Sequence, residues 1–245
     1  MKRGDGRVWD ELRPVKITPG FLSFAEGSAL IEVGQTRVLC AVSVEERVPA
    51  FLREGGGGGW ITAEYAMMPR STVTRTARDS SQGRVSGRNQ EIQRLVGRSL
   101  RAVANLSALG ERTLIVDCDV IQADGGTRTA AITGAYVALY QAMQKLADMG
   151  ILSSIIPLKS AVAATSVGIV HSYKMLDLCY DEDFGAEVDF NVVMTSRGEF
   201  VEVQGTAEGK PFSKETIDAL LALAEKGIRQ LFQVQQAAIE SLRPR

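Results

Sequence analysis

Residues 113–149 change their hydrophobic period across two glycines. Thr113 to Asp124 alternates apolar and polar residues as a half-buried strand does, with Asp117 and Asp119 on one side of the pleat. Gly125-Gly126 ends that pattern, and Thr127 opens an apolar segment of helical length that runs to about Met149. A strand feeding a long helix through so short a turn confines the chain to folds that pack helices on sheets. The junction also carries chemistry. A helix N-terminus presents unpaired N–H groups and the positive end of a dipole, so it attracts an anion. The glycines let the anion approach the backbone, Thr127 adds a hydroxyl and Arg128 a charge. Gly126, Thr127 and Arg128 are therefore a candidate phosphate site. The plainer alternative is a helix start in which Thr127 serves only the helix.

The rest of the chain alternates strands and helices. Ala29, Ile31 and Val33, then Val38, Cys40, Val42 and Val44, mark a hairpin over residues 27–45 around a Gly34-Gln35 turn. The loop of residues 46–59 ends in Gly55–Gly59, a run with no single preferred backbone. That run lacks the lysine and following Ser/Thr of a Walker loop, so it is a poor phosphate site. Trp60 to Met67 reads as a strand, and residues 71–88 as a long polar loop of the functional kind. In a helix from Asn89 to Leu106, Ile92, Leu95, Val96, Ser99, Val103 and Leu106 share one stripe. Arg94, Arg98 and Arg101 fall on its other face, solvated or turned to another subunit. Arg88, just ahead of this helix, projects toward the apolar side and would need an anionic partner there.

Further strands are expected at residues 161–170, 175–180, 187–195 and 200–204. Ser213 caps a last helix whose core face is Ile217, Leu220, Leu221, Ala224, Ile228, Leu231 and Phe232. Val234 and Ile239 fall outside that face, to reach a neighbour or fray. No repeat and no Pro- or Ser-rich linker divides the chain. The fold class is α+β, read as a single domain over residues 1–245.

Charge is balanced overall, at −1, but not locally. Residues 70–101 hold eight arginines and no lysine, for a net +6, whereas residues 181–208 carry a net −7. The planar guanidinium fork matches phosphate. Clustered carboxylates suit Mg²⁺, a hard cation that takes oxygen ligands. Together they point to phosphoryl or nucleotidyl transfer, against the alternative of two solvated faces.

Several classes are excluded. No run of about 18 apolar residues is long enough to cross a membrane. No apolar stretch follows the charged N-terminus, so a secretory signal is not expected. Cys40, Cys118 and Cys179 lie in apolar, strand-like runs, which suits reduced core thiols and a cytoplasmic location. The one histidine, His171, has the setting of a strand end or turn, which leaves a zinc site or a Ser-His-Asp triad without support. The absence of a Gly-x-Gly-x-x-Gly after a strand disfavours a dinucleotide enzyme.

Several segments resemble the ribonuclease PH family of bacteria. They are residues 118–135 around Asp-Gly-Gly-Thr-Arg, Trp60-Ile-Thr-Ala-Glu-Tyr65, Ser86-Gly-Arg-Asn-Gln-Glu-Ile-Gln-Arg-Leu95, Ala186-Glu-Val-Asp-Phe-Asn191, and the stretches 5–14 and 205–213. The resemblance covers about residues 4 to 240. It implies the ribonuclease PH fold, with mixed and antiparallel sheets and packed helices. It also implies a phosphate-dependent 3′→5′ exoribonuclease that trims the 3′ ends of tRNA precursors and other RNA and releases nucleoside diphosphates, with a reverse reaction that adds nucleotides. Mg²⁺ would be the metal, inorganic phosphate the co-substrate and a homohexamer (three dimers) the assembly.

Carried over residue by residue, the resemblance gives phosphate binding to Arg88, Gly126, Thr127 and Arg128. It gives the paired catalytic and metal-binding acids to Asp183 and Asp189, with Asn191 assisting, and RNA binding to Arg70, Arg75 and Arg78. Phe184 departs from the small polar residue expected after Asp183. An inactive RNA-binding ring subunit of the same fold is the alternative. Such relatives tend to lose an acidic or a phosphate residue, and here all are present.

Overall fold

The computed structural model describes residues 3–53, 58–209 and 211–242. Of the glycine run, Gly55–Gly57 lie outside them.

Five strands form the first sheet: β1 (Val15–Pro19), β2 (Gly27–Val33), β3 (Thr36–Glu45), β4 (Trp60–Met67) and β5 (Thr113–Gln122). Their spatial order is β1-β2-β3-β5-β4, antiparallel except for the parallel β4–β5 pair. That pair needs a crossover. Two short helices, α1 (Ala50–Arg53) and α2 (Asp79–Gln82), precede the crossover helix α3 (Gly87–Val103). The β2–β3 turn is Gly34-Gln35 with Gly34 at φ 56°, as a turn with its positive φ at the first central residue requires.

Helix α4 (Thr127–Asp148) is the centre of the molecule. It packs on β2 and β3 of the first sheet and on β6 of the second. A helix covered on both sides cannot be amphipathic, and Ala131, Ile132, Ala135, Val137, Ala138, Leu139, Ala142 and Met143 are all fully buried around it. The second sheet is β6 (Val162–Val170), β7 (Tyr173–Leu176), β8 (Val188–Thr195) and β9 (Phe200–Ala207), ordered β7-β6-β8-β9 and antiparallel throughout. Between β7 and β8 lies α5 (Tyr180–Phe184), and α6 (Lys214–Glu240) ends the fold. The α+β class stands: two sheets with packed helices.

Four expectations need correction. The strand expected at 175–180 is shorter and earlier, and its second half turns into α5. A five-residue helix has no room for a 3.6-residue period. It is held instead by a capping box, in which the Glu182 carboxylate accepts from the Cys179 amide at 3.0 Å. Cys179 is therefore a half-buried cap and not a strand residue; Cys40 and Cys118 do face each other across β3 and β5, both buried. The helix expected at Asn89 begins at Gly87, because Ser86 Oγ accepts from Asn89 N at 3.2 Å and caps it there. Val234 packs on the core and Ile239 is buried in it, so the end of α6 is tied down.

Two side chains read as surface are also engaged. Arg101 lies 4.4 Å over the Trp60 ring and donates to the Ile61 carbonyl at 2.7 Å. Arg98 pairs with Glu202 at 2.5 Å, joining α3 to β9. His171 and Ser172, both at positive φ, form the two-residue turn between β6 and β7.

Candidate active site

The chain leaves β5 through Gly125 and Gly126, at φ 72° and 65°. A Cβ on Gly125 would stand 2.6 Å from the Leu178 carbonyl oxygen, so the turn needs glycine for space as well as for conformation. Gly126 is the N-cap of α4 and carries no capping side chain. The first-turn amides of α4 thus stand without a cap beside a cavity of about 520 Å³.

Thr127 does not serve the helix. Its Oγ1 accepts from the buried phenol of Tyr65 at 2.8 Å, which occupies a lone pair and leaves the hydroxyl proton free to donate elsewhere. Sequence reasoning missed Tyr65, although it closes the Trp60–Tyr65 segment. It missed Glu91 and Gln204 as well. Arg128 Nη1 donates to Gln204 Oε1 at 3.1 Å and to Glu91 Oε1 at 3.4 Å, and Gln204 Nε2 donates to Glu91 Oε1 at 3.1 Å. Three elements, α3, α4 and β9, therefore aim one guanidinium. No sequence spacing signals such a set, since residues 91, 128 and 204 meet only in the fold.

Arg88, Gly126, Thr127, Arg128, Asp183, Asp189 and Asn191 all border the same cavity. Asp183 is delivered by α5, Asp189 and Asn191 by β8. Arg88 corrects the expectation made for it: it sits in the first turn of α3 and is exposed at the cavity, not sent into the apolar core. Arg78 lines an adjoining hollow that Arg88 shares. Arg70 and Arg75 are exposed and border neither space. Among the described residues, Arg70, Arg75, Arg78 and Arg88 form no ion pair within 4.0 Å.

The two carboxylates are perturbed. Burial raises the Asp183 carboxyl, with Arg128, Arg88 and Arg13 opposing. Burial, then repulsion from Asp183, pushes Asp189 up to about 6, against the pull of Arg128 and Arg88. Asp189 Oδ1 is buried and lacks a hydrogen-bond partner. A buried oxygen left open beside a cavity fits a cation or a proton. Among the described residues no three ligating side chains cluster. Mg²⁺ does not need them, since it takes one or two carboxylates and completes its shell with water and substrate phosphate. Asp183 and Asp189 therefore fit it.

Behind the cavity lies a network with no sequence signature. Asp177, at φ 53°, accepts from Arg13 N at 2.8 Å, Nε at 2.9 Å and Nη2 at 2.7 Å. Arg13 also donates to the carbonyls of Asp124 and Gly125. Arg3 holds Glu182 through Nε at 2.7 Å and also through Nη2. Burial alone would raise the Glu182 carboxyl, but the Arg3 bonds and the Cys179 amide together outweigh it and hold it below its ordinary range. The N-terminal segment thus fixes both the glycine turn and the helix that carries Asp183.

The chain matches two family profiles, "3′ exoribonuclease family, domain 1" over residues 11–144 and "domain 2" over residues 160–227. A ribonuclease PH of Dehalococcoides mccartyi is 67% identical over 236 residues, covering 96% of this chain and 97% of that one. A ribonuclease PH of Syntrophomonas wolfei is 56% identical over 239 residues, covering 98% and 99%. Among solved structures, an Archaeoglobus fulgidus exosome with RNA bound to the active site superposes with a TM-score of 0.80 at 23% identity, over 95% of this chain and 92% of that one. An archaeal exosome core gives a TM-score of 0.76 at 21% identity, over 96% and 91%. At those identities the likeness is one of fold. The chain belongs to the 3′ exoribonuclease family and, within it, to the ribonuclease PH enzymes, which are phosphorolytic 3′→5′ exoribonucleases and nucleotidyltransferases.

Proposed function

We propose that the cavity of about 520 Å³ is where inorganic phosphate attacks the last phosphodiester of an RNA, with tRNA precursors as the substrate. The observation that carries this reading is the meeting of two opposite chemistries in one space. Arg88, Arg128 and the uncapped start of α4 make one part of its lining anion-binding, and Asp183 and Asp189 make another part anionic.

The attacking phosphate and the scissile phosphodiester repel each other, so the barrier includes bringing them together. Arg88, Arg128, the Thr127 hydroxyl and the first-turn amides hold the attacking phosphate and offset that repulsion. Arg128 is pre-aimed by Glu91 and Gln204, so little reorganisation is left for the reaction. The phosphate oxygen bonds to phosphorus, the bond to the 3′-oxygen of the shortened RNA breaks, and the nucleotide leaves as a diphosphate. Asp183 and Asp189 would hold Mg²⁺, which when bound supplies charge stabilisation at the departing 3′-oxygen. A second reading follows from Asp189 alone. A carboxyl at about 6 carries a proton for part of the time near neutrality and can hand it to that 3′-oxygen. Arg70, Arg75 and Arg78, unpaired along the 70–78 stretch, would lead the RNA in, which makes binding salt-sensitive.

The assembly proposed is a homohexamer, in line with exposed Phe21, Leu22 and Phe24 clustered on one loop. Light scattering at six times the 26.5 kDa chain mass checks it. The two matched units are read as one folding domain. Gln235 of α6 supports this, because it donates to both Thr133 O and Val162 O at 2.9 Å. No helix among the described residues is long and apolar enough to cross a membrane. A cytoplasmic location is proposed from the free thiols of the facing Cys40 and Cys118.

The test is product analysis on a short labelled RNA with Mg²⁺. Nucleoside diphosphates that appear only when phosphate is supplied support the reading. Monophosphates without phosphate mean hydrolysis and overturn it. RNA retained without product is the behaviour of an inactive ring subunit.

A further inference from the structure

Helix α5 carries more than Asp183. Tyr180 and Phe184, one helical turn apart, flank it in sequence and border the same cavity as Arg88, Arg128 and Asp189. Their rings stack with centroids 6.1 Å apart and planes 26° from parallel. Both are nonetheless exposed, Tyr180 by 57% and Phe184 by 83%. The fold does pair aromatic rings inside where it needs packing, as with Phe190 against Phe212 at 5.2 Å. Phe184 is not such a case, since it stays exposed where it borders the cavity.

The helix that carries the two rings is also anchored. Tyr180 N donates to Asp124 Oδ1 at 3.2 Å, the capping box closes the first turn, and Arg3 clamps Glu182 from behind. A surface fixed before binding loses little entropy when a ligand lands on it.

We propose that Phe184, backed by Tyr180, is the stacking platform for the nucleobase of the 3′-terminal nucleotide. The proposal rests on the cavity being the phosphorolysis site. A terminal nucleotide brings phosphate, ribose and base into that site. The arginines and the α4 amides account for phosphate, and none of the polar groups assigned so far accounts for the base. An exonuclease that removes one residue after another must take every base in turn. Hydrogen-bond donors and acceptors would select among bases, whereas a π face accepts all four. An exposed phenyl ring beside the carboxylates supplies that tolerance. It also explains why a large apolar residue stands where a small polar one was expected from family resemblance.

The experiment titrates the full chain, with Mg²⁺ throughout, with two probes that share a diphosphate: ADP and the base-free ribose 5′-diphosphate. Base stacking is worth about 1–3 kcal/mol, so the wild type is expected to bind ADP roughly 10- to 100-fold more tightly. UDP should show the same kind of preference. In Phe184→Ala the gap closes through weaker ADP binding alone, while Phe184→Trp keeps it. Unchanged ribose 5′-diphosphate binding shows that the variant is folded. An ADP preference that survives Phe184→Ala overturns the platform, as does equal weakening of both probes. A fall in oligomer mass with the preference intact would assign Phe184 to a subunit contact and also overturn it. Arg128→Ala tests the phosphate site independently of Phe184. Weaker binding of both probes there upholds the phosphate site whatever Phe184 does; no change there means the cavity reading itself has failed.

Discussion

Two buried or half-buried acids, Asp177 and Asp189, show how differently one residue type is used here. Asp177 is satisfied on all sides by Arg13 and Arg7, and its backbone sits at a positive φ that Asp tolerates better than most residues. Removing one partner of a buried pair leaves an uncompensated charge and costs about 3–5 kcal/mol. Asp177→Ala is therefore expected to lower stability by about that amount in denaturant unfolding; a loss below 1 kcal/mol would contradict the clamp. Asp189 is the opposite case, held near 6 by burial and by Asp183. A carboxyl raised on folding stabilises the folded state fully below its unfolded pKa of about 3.9 and loses that contribution as pH rises through the folded value. The metal-free wild type should thus lose stability between about pH 4 and pH 6 relative to Asp189→Asn. At pH 7 the Asn variant should be the more stable by on the order of 3 kcal/mol, yet much less active. Thermal melts of both proteins across that pH range check the sign.

At the scale of elements, the glycine turn and α5 must stay together for the site to exist. Gly125 lies against the Leu178 carbonyl with no room for a methyl group. Gly125→Ala should lower activity more than it lowers stability, because it pushes the start of α4 away from the segment leading into α5. Steady-state kinetics beside a melt would show this, and unchanged kinetics would refute it. The junction itself was legible in the sequence because a period change, two glycines and Thr-Arg are all local signals. The Ser213 cap and the β2–β3 turn were legible for the same reason. Helix α5 was not, since a single turn has no period to read. Apolar periodicity alone puts Arg88 ahead of the helix and on its apolar side, whereas the Ser86 cap sets it in the first turn at the cavity. Tyr65, Glu91 and Gln204 were invisible as a group, because their contacts with Thr127 and Arg128 exist only across three or four elements.

For the whole molecule, the split charge of the sequence meets at one cavity. The arginine-rich stretch reaches it from α3 and the loop before it, and the acidic stretch from α5 and β8, with α4 between the two sheets holding them in register. The opening segment, Arg3 to Arg13, ties these parts from behind. Arg3→Ala should free α5 through loss of the Glu182 bonds and reduce activity without removing a group that touches substrate. Hydrogen exchange in α5 is expected to rise, and exchange unchanged from wild type would count against the tie.

We propose that phosphate holding by Arg128 and the carboxylate chemistry of Asp189 are separate duties within this one cavity. The direct measurement is the rate of RNA phosphorolysis as a function of phosphate concentration for wild type, Arg128→Ala and Asp189→Asn. Arg128→Ala should raise the KM for phosphate and lower kcat/KM by about 10²–10³. Asp189→Asn should lose kcat with little change in that KM. Wild-type kinetics in either variant, or the same pattern of loss in both, would contradict it.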